Sequence, residues 1–177
     1  NMWINAGRSQ FHLPTGEPQV LRGRIGLVMP GLDALVDRLE SVRDPLDGTP
    51  FDFVAPTGNN AVDVTCPWGH RFRCHAAEGQ FGPMALGMPY VQFDVPTGSA
   101  DGIARFYEEI FSAPCRVDDW DGARAAIVQA GLRQELVFRE TDAPLPDFDE
   151  HHIQIYVADF SGPYNLLKDR NLISQES

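Results

Sequence analysis

Along the chain, runs that alternate apolar and polar residues give way three times to runs in which apolar residues return every three or four positions. The first, "RIGLVMP", leads into "GLDALVDRLESV", where Leu32, Leu35, Val36 and Leu39 fall at i, i+3, i+4 and i+7 and predict one apolar helix face. The second, "YVQFDVPTG", leads into "SADGIARFYEEIFSA", with Ile103, Phe106, Tyr107, Ile110 and Phe111 on one stripe and Ser99 or Asp101 as the helix cap. The third, "HIQIYVADF", precedes "SGPYNLLKDRNL", with Ser161 or Asp159 ahead of Pro163 at the helix start.

Strand-like runs follow the first two helices. "FDFVAPTGNNAVDVTCPWGHRFRCHA" reads as three strands with turns at "PTGNN" and "PWGH", and "CRVDDWDGARAAIVQAGLRQELVFRE" as three strands with turns at "DWDG" and "QAG". The repeat is therefore strand, helix, three strands, and it returns after 66 positions (Ile25 to Val91) and again after 62 (Val91 to Ile153). A longer repeat overlays "RIGLVMPGLDALVDRL" on "HIQIYVADFSGPYNLL", placing Arg24 on His152 at an offset of 128. Repeats of this kind decide a fold. The expected class is α+β, with a first lobe at 1–78, a linker at 79–87 and a second lobe at 88–177. Both ends fall short of a whole repeat, so the expectation is that the natural chain continues or that another chain supplies the missing strands.

Composition narrows the function. A 43% hydrophobic share suits a packed core, and the net charge of −11 repels nucleic-acid phosphates and anionic membranes. No apolar run approaches the ~20 residues of a membrane span, and the expected location is cytoplasmic. Three cysteines, Cys66, Cys74 and Cys115, do not read as a disulfide framework. In "CPWGHRFRCH" the ligand types of zinc occur together, but strand alternation sends Cys74 and His75 to opposite faces.

Serial strand-helix-three-strand repeats, the "CPWGHRFRCH" hairpin, the "FYEEIF" helix and the histidine-bearing "HHIQIYVADF" together resemble the vicinal oxygen chelate superfamily, which includes glyoxalase I, bleomycin-resistance proteins and extradiol dioxygenases. The resemblance implies paired βαβββ repeats that curve their sheets into an open cup, with helices outside, and a divalent metal often held at the cup floor.

Alternation then sorts residues by face. Ile25, Leu27, Met29, Val91, Phe93, Val95, Ile153, Ile155 and Val157 point to the helices. Arg24, Tyr90, Gln92, Asp94, His152, Gln154 and Tyr156 point to the cup, and His151 sits at a strand edge. His152 is the expected metal ligand, or else a hydrogen-bonding cup residue, with Glu135 as carboxylate partner and proton carrier and Glu140 as its substitute. The metal would be Fe, Mn, Ni or Zn. Tyr90 would donate to an enolate-like intermediate, while Gln92, Gln154, Tyr156 and Arg139 would contact substrate. In the first lobe Arg73 stands where the resemblance would place a glutamate, so Arg24 and Arg73 read either as an anion site or as partners of nearby Asp and Glu. Two functions follow: metal-assisted isomerase, lyase or ring-opening dioxygenase chemistry on a small oxygen-bearing molecule, or metal-free binding of a small molecule. A homodimer is the expected assembly.

Overall fold

The computed structural model describes residues 2–55, 61–77 and 79–174. The "PTGNN" turn lies outside them. Compactness divides the chain into two units, Asn1–Asp94 with Pro144–His152, and Val95–Ala143 with Ile153–Ser177.

The first unit opens with a hairpin of β1 (Met2–Ala6) and β2 (Ser9–Leu13). There follow β3 (Gly23–Met29), α1 (Leu32–Ser41), β4 (Asp52–Val54), β5 (Ala61–Thr65), β6 (Arg71–Ala76) and β7 (Tyr90–Pro96), the last of which runs across the unit boundary. Its strands lie in the order β4-β5-β6-β3-β7, with β3 and β6 parallel and the other pairs antiparallel. The amphipathic stripe on α1 does what its spacing predicts. Leu32, Leu35, Val36 and Leu39 pack with Leu27, Met29, Phe53, Val62, Phe72 and Cys74. Burying each such aliphatic side chain is worth about 1.5–3 kcal/mol. Gly31 before the helix is left-handed and no side chain caps the helix start, so packing rather than capping holds α1 in place.

Residues 144–152 return to this unit. The Asp149 carboxylate accepts the Val20 amide at 2.6 Å and His151 Nδ1 at 2.7 Å, and Phe148 lies under the Arg22 guanidinium. These contacts hold the Asp149 carboxyl down at about 2, the Val20 amide contributing most.

The second unit contains α2 (Ala100–Phe111), β8 (Cys115–Trp120), β9 (Ala123–Gly131), β10 (Gln134–Thr141) and α3 (Ser161–Asp169). The strands run antiparallel in the order β10-β9-β8. The "DWDG" turn forms as expected, with Asp121 and Gly122 both at positive φ, the geometry that matches the twist of a two-residue hairpin. The next turn lies beyond "QAG", at Leu132 and Arg133, because β9 extends to Gly131 and a bulge between Gln134 and Glu135 absorbs the offset. Helix α2 is capped from a distance: the buried Glu140 carboxylate accepts the Ala100 amide at 2.8 Å. Ser99 makes no side-chain cap bond and Asp101 instead pairs with Arg124, so the expected local cap is replaced by one from β10. At α3, Asp159 accepts the Gly162 amide at 3.3 Å.

One expected element is missing. Residues 151–157 carry no regular secondary structure, although their alternation is clear. Alternation states which face a side chain would take; a strand also needs an edge to hydrogen-bond. Among the described residues no helix is long and apolar enough to cross a membrane.

Candidate functional site

The first unit gathers polar side chains on the sheet face opposite α1. Because Leu27, Phe72 and Cys74 pack under the helix, alternation turns Arg24, Arg71, Arg73 and His75 the other way. Register then sets them in rows. Asp63 on β5 lies across from Arg73 on β6, which lies across from Gly26 on β3; Arg24 lies across from Gln92 on β7. The Tyr90 ring occupies the space above Gly26, where an added Cβ would overlap three ring carbons. A glycine inside a strand often marks such a close approach. Tyr90 and Gln92 are 3% and 5% exposed and form the floor of the face.

Charge on this face is organised. Arg73 forks onto Asp63, with Nε at 2.7 Å and Nη2 at 2.9 Å, and the ion pair remains accessible at side-chain exposures of 27% and 47%. Arg71 reaches Asp94 at 2.9 Å and the Gly23 carbonyl at 3.0 Å, while Gln92 Nε2 donates to the other Asp94 oxygen at 2.9 Å. Tyr90 Oη stands 3.0 Å from His75 Nε2 and is hydrogen-bonded by Arg24. Phe81 closes edge-on over the His75 ring at 4.8 Å.

The electrostatic consequences follow from burial and from the guanidiniums. Burial, reinforced by Arg73 and Arg24, pushes the His75 imidazole down to about 4, so it is neutral at pH 7. Burial pushes the Tyr90 hydroxyl up, against the pull of Arg24 and Arg73. The Arg73 hydrogen bond holds the Asp63 carboxyl below its ordinary range. A guanidinium only donates, so Tyr90 accepts from Arg24, and the donor in the Tyr90–His75 hydrogen bond is set by the imidazole tautomer. Tyr90 thus links Arg24 to His75. On this face Arg73 pairs with Asp63 and Arg71 with Asp94, while Arg24 lies beside Tyr90.

The second unit differs. Phe138, Ala126 and Val117 pack toward α2, so Glu135, Val137 and Arg139 take the opposite face. Glu135 is engaged by Arg116 at 2.8 Å, and Arg139 donates to the carbonyls of Trp120 and Asp121. Between them Val137, Ile127 and Ala125 are buried and apolar. Gln154 is exposed, and Tyr156 is 88% exposed beside an open hollow of about 430 Å³ lined by Tyr107, Ile110, Phe111, Val128 and Leu136. In the first unit, His152 is exposed, with Nδ1 3.0 Å from the Glu150 carbonyl oxygen. Of the residues singled out from sequence, Tyr90 and Gln92 share a face with Arg24 and Arg73. The parts of Asp63, His75 and Gly26 were missed, although alternation in "HRFRCH" already placed His75 beside Arg73.

A first-row metal needs several unprotonated nitrogen or carboxylate donors aimed at one point. Among the described residues no three His, Cys, Asp or Glu side chains are grouped to hold one. Glu135 moreover sits against a guanidinium that a cation would have to displace. The donors among the described residues do not fit the metal.

No protein-family model matches the sequence, and no curated protein matches it. Solved structures do. A putative dioxygenase from Bacillus subtilis has a TM-score of 0.52 at 17% identity, over 85% of this chain and 51% of that one. A 2,2',3-trihydroxybiphenyl 1,2-dioxygenase from Sphingomonas wittichii has a TM-score of 0.46 at 14% identity, over 73% and 43%. Glyoxalase I from Zea mays has a TM-score of 0.45 at 15% identity, over 70% and 44%. The chain spans about half or less of the length of these proteins, and at such identities the likeness is one of fold.

Proposed function

Taking as premise that the chain has the vicinal oxygen chelate fold, we propose that it binds a small oxygen-bearing molecule on the polar sheet face of the first unit, without a metal. The observation that carries this reading is the buried Tyr90 hydroxyl, which joins Arg24 to a neutral His75 beside the accessible Arg73–Asp63 pair. Such a face presents oriented donors at no cost of reorganisation when a carbonyl, hydroxyl or carboxylate oxygen arrives. The net charge of −11 favours cationic ligands at long range. Within about 8 Å, the Debye length in physiological salt, the individual charged groups of the face act on a ligand directly. Fold alone does not supply a reaction, so the reading is one of binding.

The test is titration of isotope-labelled protein with small oxygen-bearing molecules (acetate, lactate, acetol, catechol) in the presence of a chelator. Support is a saturable shift of the Tyr90, Gln92 and His75 resonances that persists in His152→Ala and weakens in Tyr90→Phe. Stoichiometric metal in protein prepared without chelator, together with binding that vanishes in His152→Ala or Glu135→Gln, would overturn it in favour of the metal-assisted reading.

A further inference from the structure

Residues 144–152 return to the first unit, and the groups that fasten them there have the chemistry of a catch that acid opens. We propose that His70 is its trigger: a proton arriving on the buried Nδ1 lifts Asp149 off the Val20 amide and frees the stretch.

His70 closes the "PWGH" turn, where its backbone carbonyl accepts the Cys66 amide at 2.9 Å. The Gln19 carbonyl takes one hydrogen bond from the imidazole, while Nδ1 is buried with no hydrogen-bond partner among the described residues. A carbonyl only accepts, so the bond to Gln19 comes from Nε2–H and Nδ1 is the bare nitrogen of a neutral ring. Acid therefore protonates this imidazole at Nδ1. That turns a tolerated lone pair into a charged donor without an acceptor, the costly state of a buried polar group.

The returning stretch does not supply the acceptor. Both Asp149 oxygens are engaged, Oδ2 by the Val20 amide at 2.6 Å and Oδ1 by the amide and Nδ1 of His151 at 3.1 and 2.7 Å. The titratable groups acting on His70 are Asp149, which favours its protonation, and His151, which opposes it; the other neighbours, Gln19 and Phe72, bring a carbonyl and an apolar ring. Burial is the largest influence and pushes the His70 imidazole down from its ordinary value. The catch is thus fully shut above about 6.5, the ordinary histidine value, and opens as pH falls through the lower folded value. Once residues 149–151 lift, water hydrates Nδ1, which is what the proton gains by opening. The Phe148 ring leaves with them and bares the Arg22 guanidinium that lies 5.6 Å over it. Asp149 itself, held at about 2, gives way only in stronger acid, so the His70 step comes first.

The experiment follows the amide-exchange protection of Val20 and His151 in the whole chain from about pH 7.5 to about pH 5, corrected for the intrinsic exchange rate, with the amides of β5 and β6 reporting that the unit stays folded. Val20 protection is expected to fall about fivefold or more, the scale of one net hydrogen bond, while β5 and β6 hold. His75→Asn, measured in parallel because His75 loses stability over the same window, should leave that fall intact. His70→Gln, which keeps a donor for Gln19 and takes no proton, should flatten it. Asp149→Ala gives the reciprocal measurement by NMR: with the catch already open, His70 should titrate nearer its ordinary value, although loss of a neighbouring carboxylate alone would move it the other way. The proposal is overturned if Val20 protection stays constant or rises on acidification, if the fall persists in His70→Gln or vanishes in His75→Asn, or if the His70 titration fails to rise in Asp149→Ala.

Discussion

In each unit a helix is followed by three antiparallel strands, and the middle of the closing strand gives opposite answers in the two. In the first, Arg73 on the closing strand faces Asp63 across the sheet; in the second, Val137 faces Ile127. The first pair is a partly exposed fork of charge, the second a fully buried apolar contact. The same alternation rule produces both, because pleating fixes which residues share a face and says nothing about their chemistry. Function on this fold is thus a matter of which side chains stand at the face positions.

The sharpest way to break that contrast is to force charge into the apolar row. Val137→Asp is expected to destabilise the protein by about 3–5 kcal/mol, the scale of an unpaired buried charge, and urea denaturation measures it. A loss under about 1 kcal/mol would mean that the row is wetter than its burial implies.

Next in size is the seat of Tyr90. Gly26→Ala places a methyl group against the phenol ring and is expected to cost about 1–3 kcal/mol through overpacking. It should also abolish the ligand response of His75, since the ring must move. An unchanged His75 spectrum would show that the ring is not wedged as described.

A pH effect is expected from the first unit. His75 is pushed down to about 4, below the ordinary histidine value of about 6.5. Between those values the unfolded chain binds the proton that the folded chain refuses, so the stability held above pH 6.5 is lost as pH falls toward 4. The melting temperature should decline over that window and decline less in His75→Asn. Asp149, held at about 2, acts separately: its contribution is present above about 4 and fades as pH drops toward 2.

The smallest effect is expected at the Arg116–Glu135 pair of the second unit. Arg116 is half exposed beside Glu135, so Glu135→Gln should change stability by less than about 1 kcal/mol. Denaturation at two salt concentrations would check this; a larger, salt-insensitive loss would contradict the surface reading.

Much of this was legible along the chain. The apolar stripes pointed to α1 and α2 and the Pro163 entry to α3, and alternation placed Phe72, Cys74 and Phe138 toward the helices and Tyr90 and Gln92 on the face away from them, though grouped with His152 and Glu135 rather than with Arg24 and Arg73. What escaped depends on partners distant in sequence. The cap of α2 comes from Glu140, forty residues on, and no local pattern announces it. The strand expected at 152–157 has the pattern and lacks a paired edge among the described residues. The Arg24–Tyr90–His75 chain joins three strands, so it appears only once register is known.

The clasp of Asp149 on the Val20 amide ties a late stretch of polypeptide into a unit that otherwise closes at Asp94. The chain therefore enters the first unit twice. A fragment ending at residue 94 would shed that carboxylate and bare the amide to solvent, and a fragment beginning at 95 would carry a stray stitch with nothing to fasten. Any attempt to express the polar face by itself must graft residues 144–152 back on, and a nick within that stretch should loosen the first unit while sparing β8, β9 and β10.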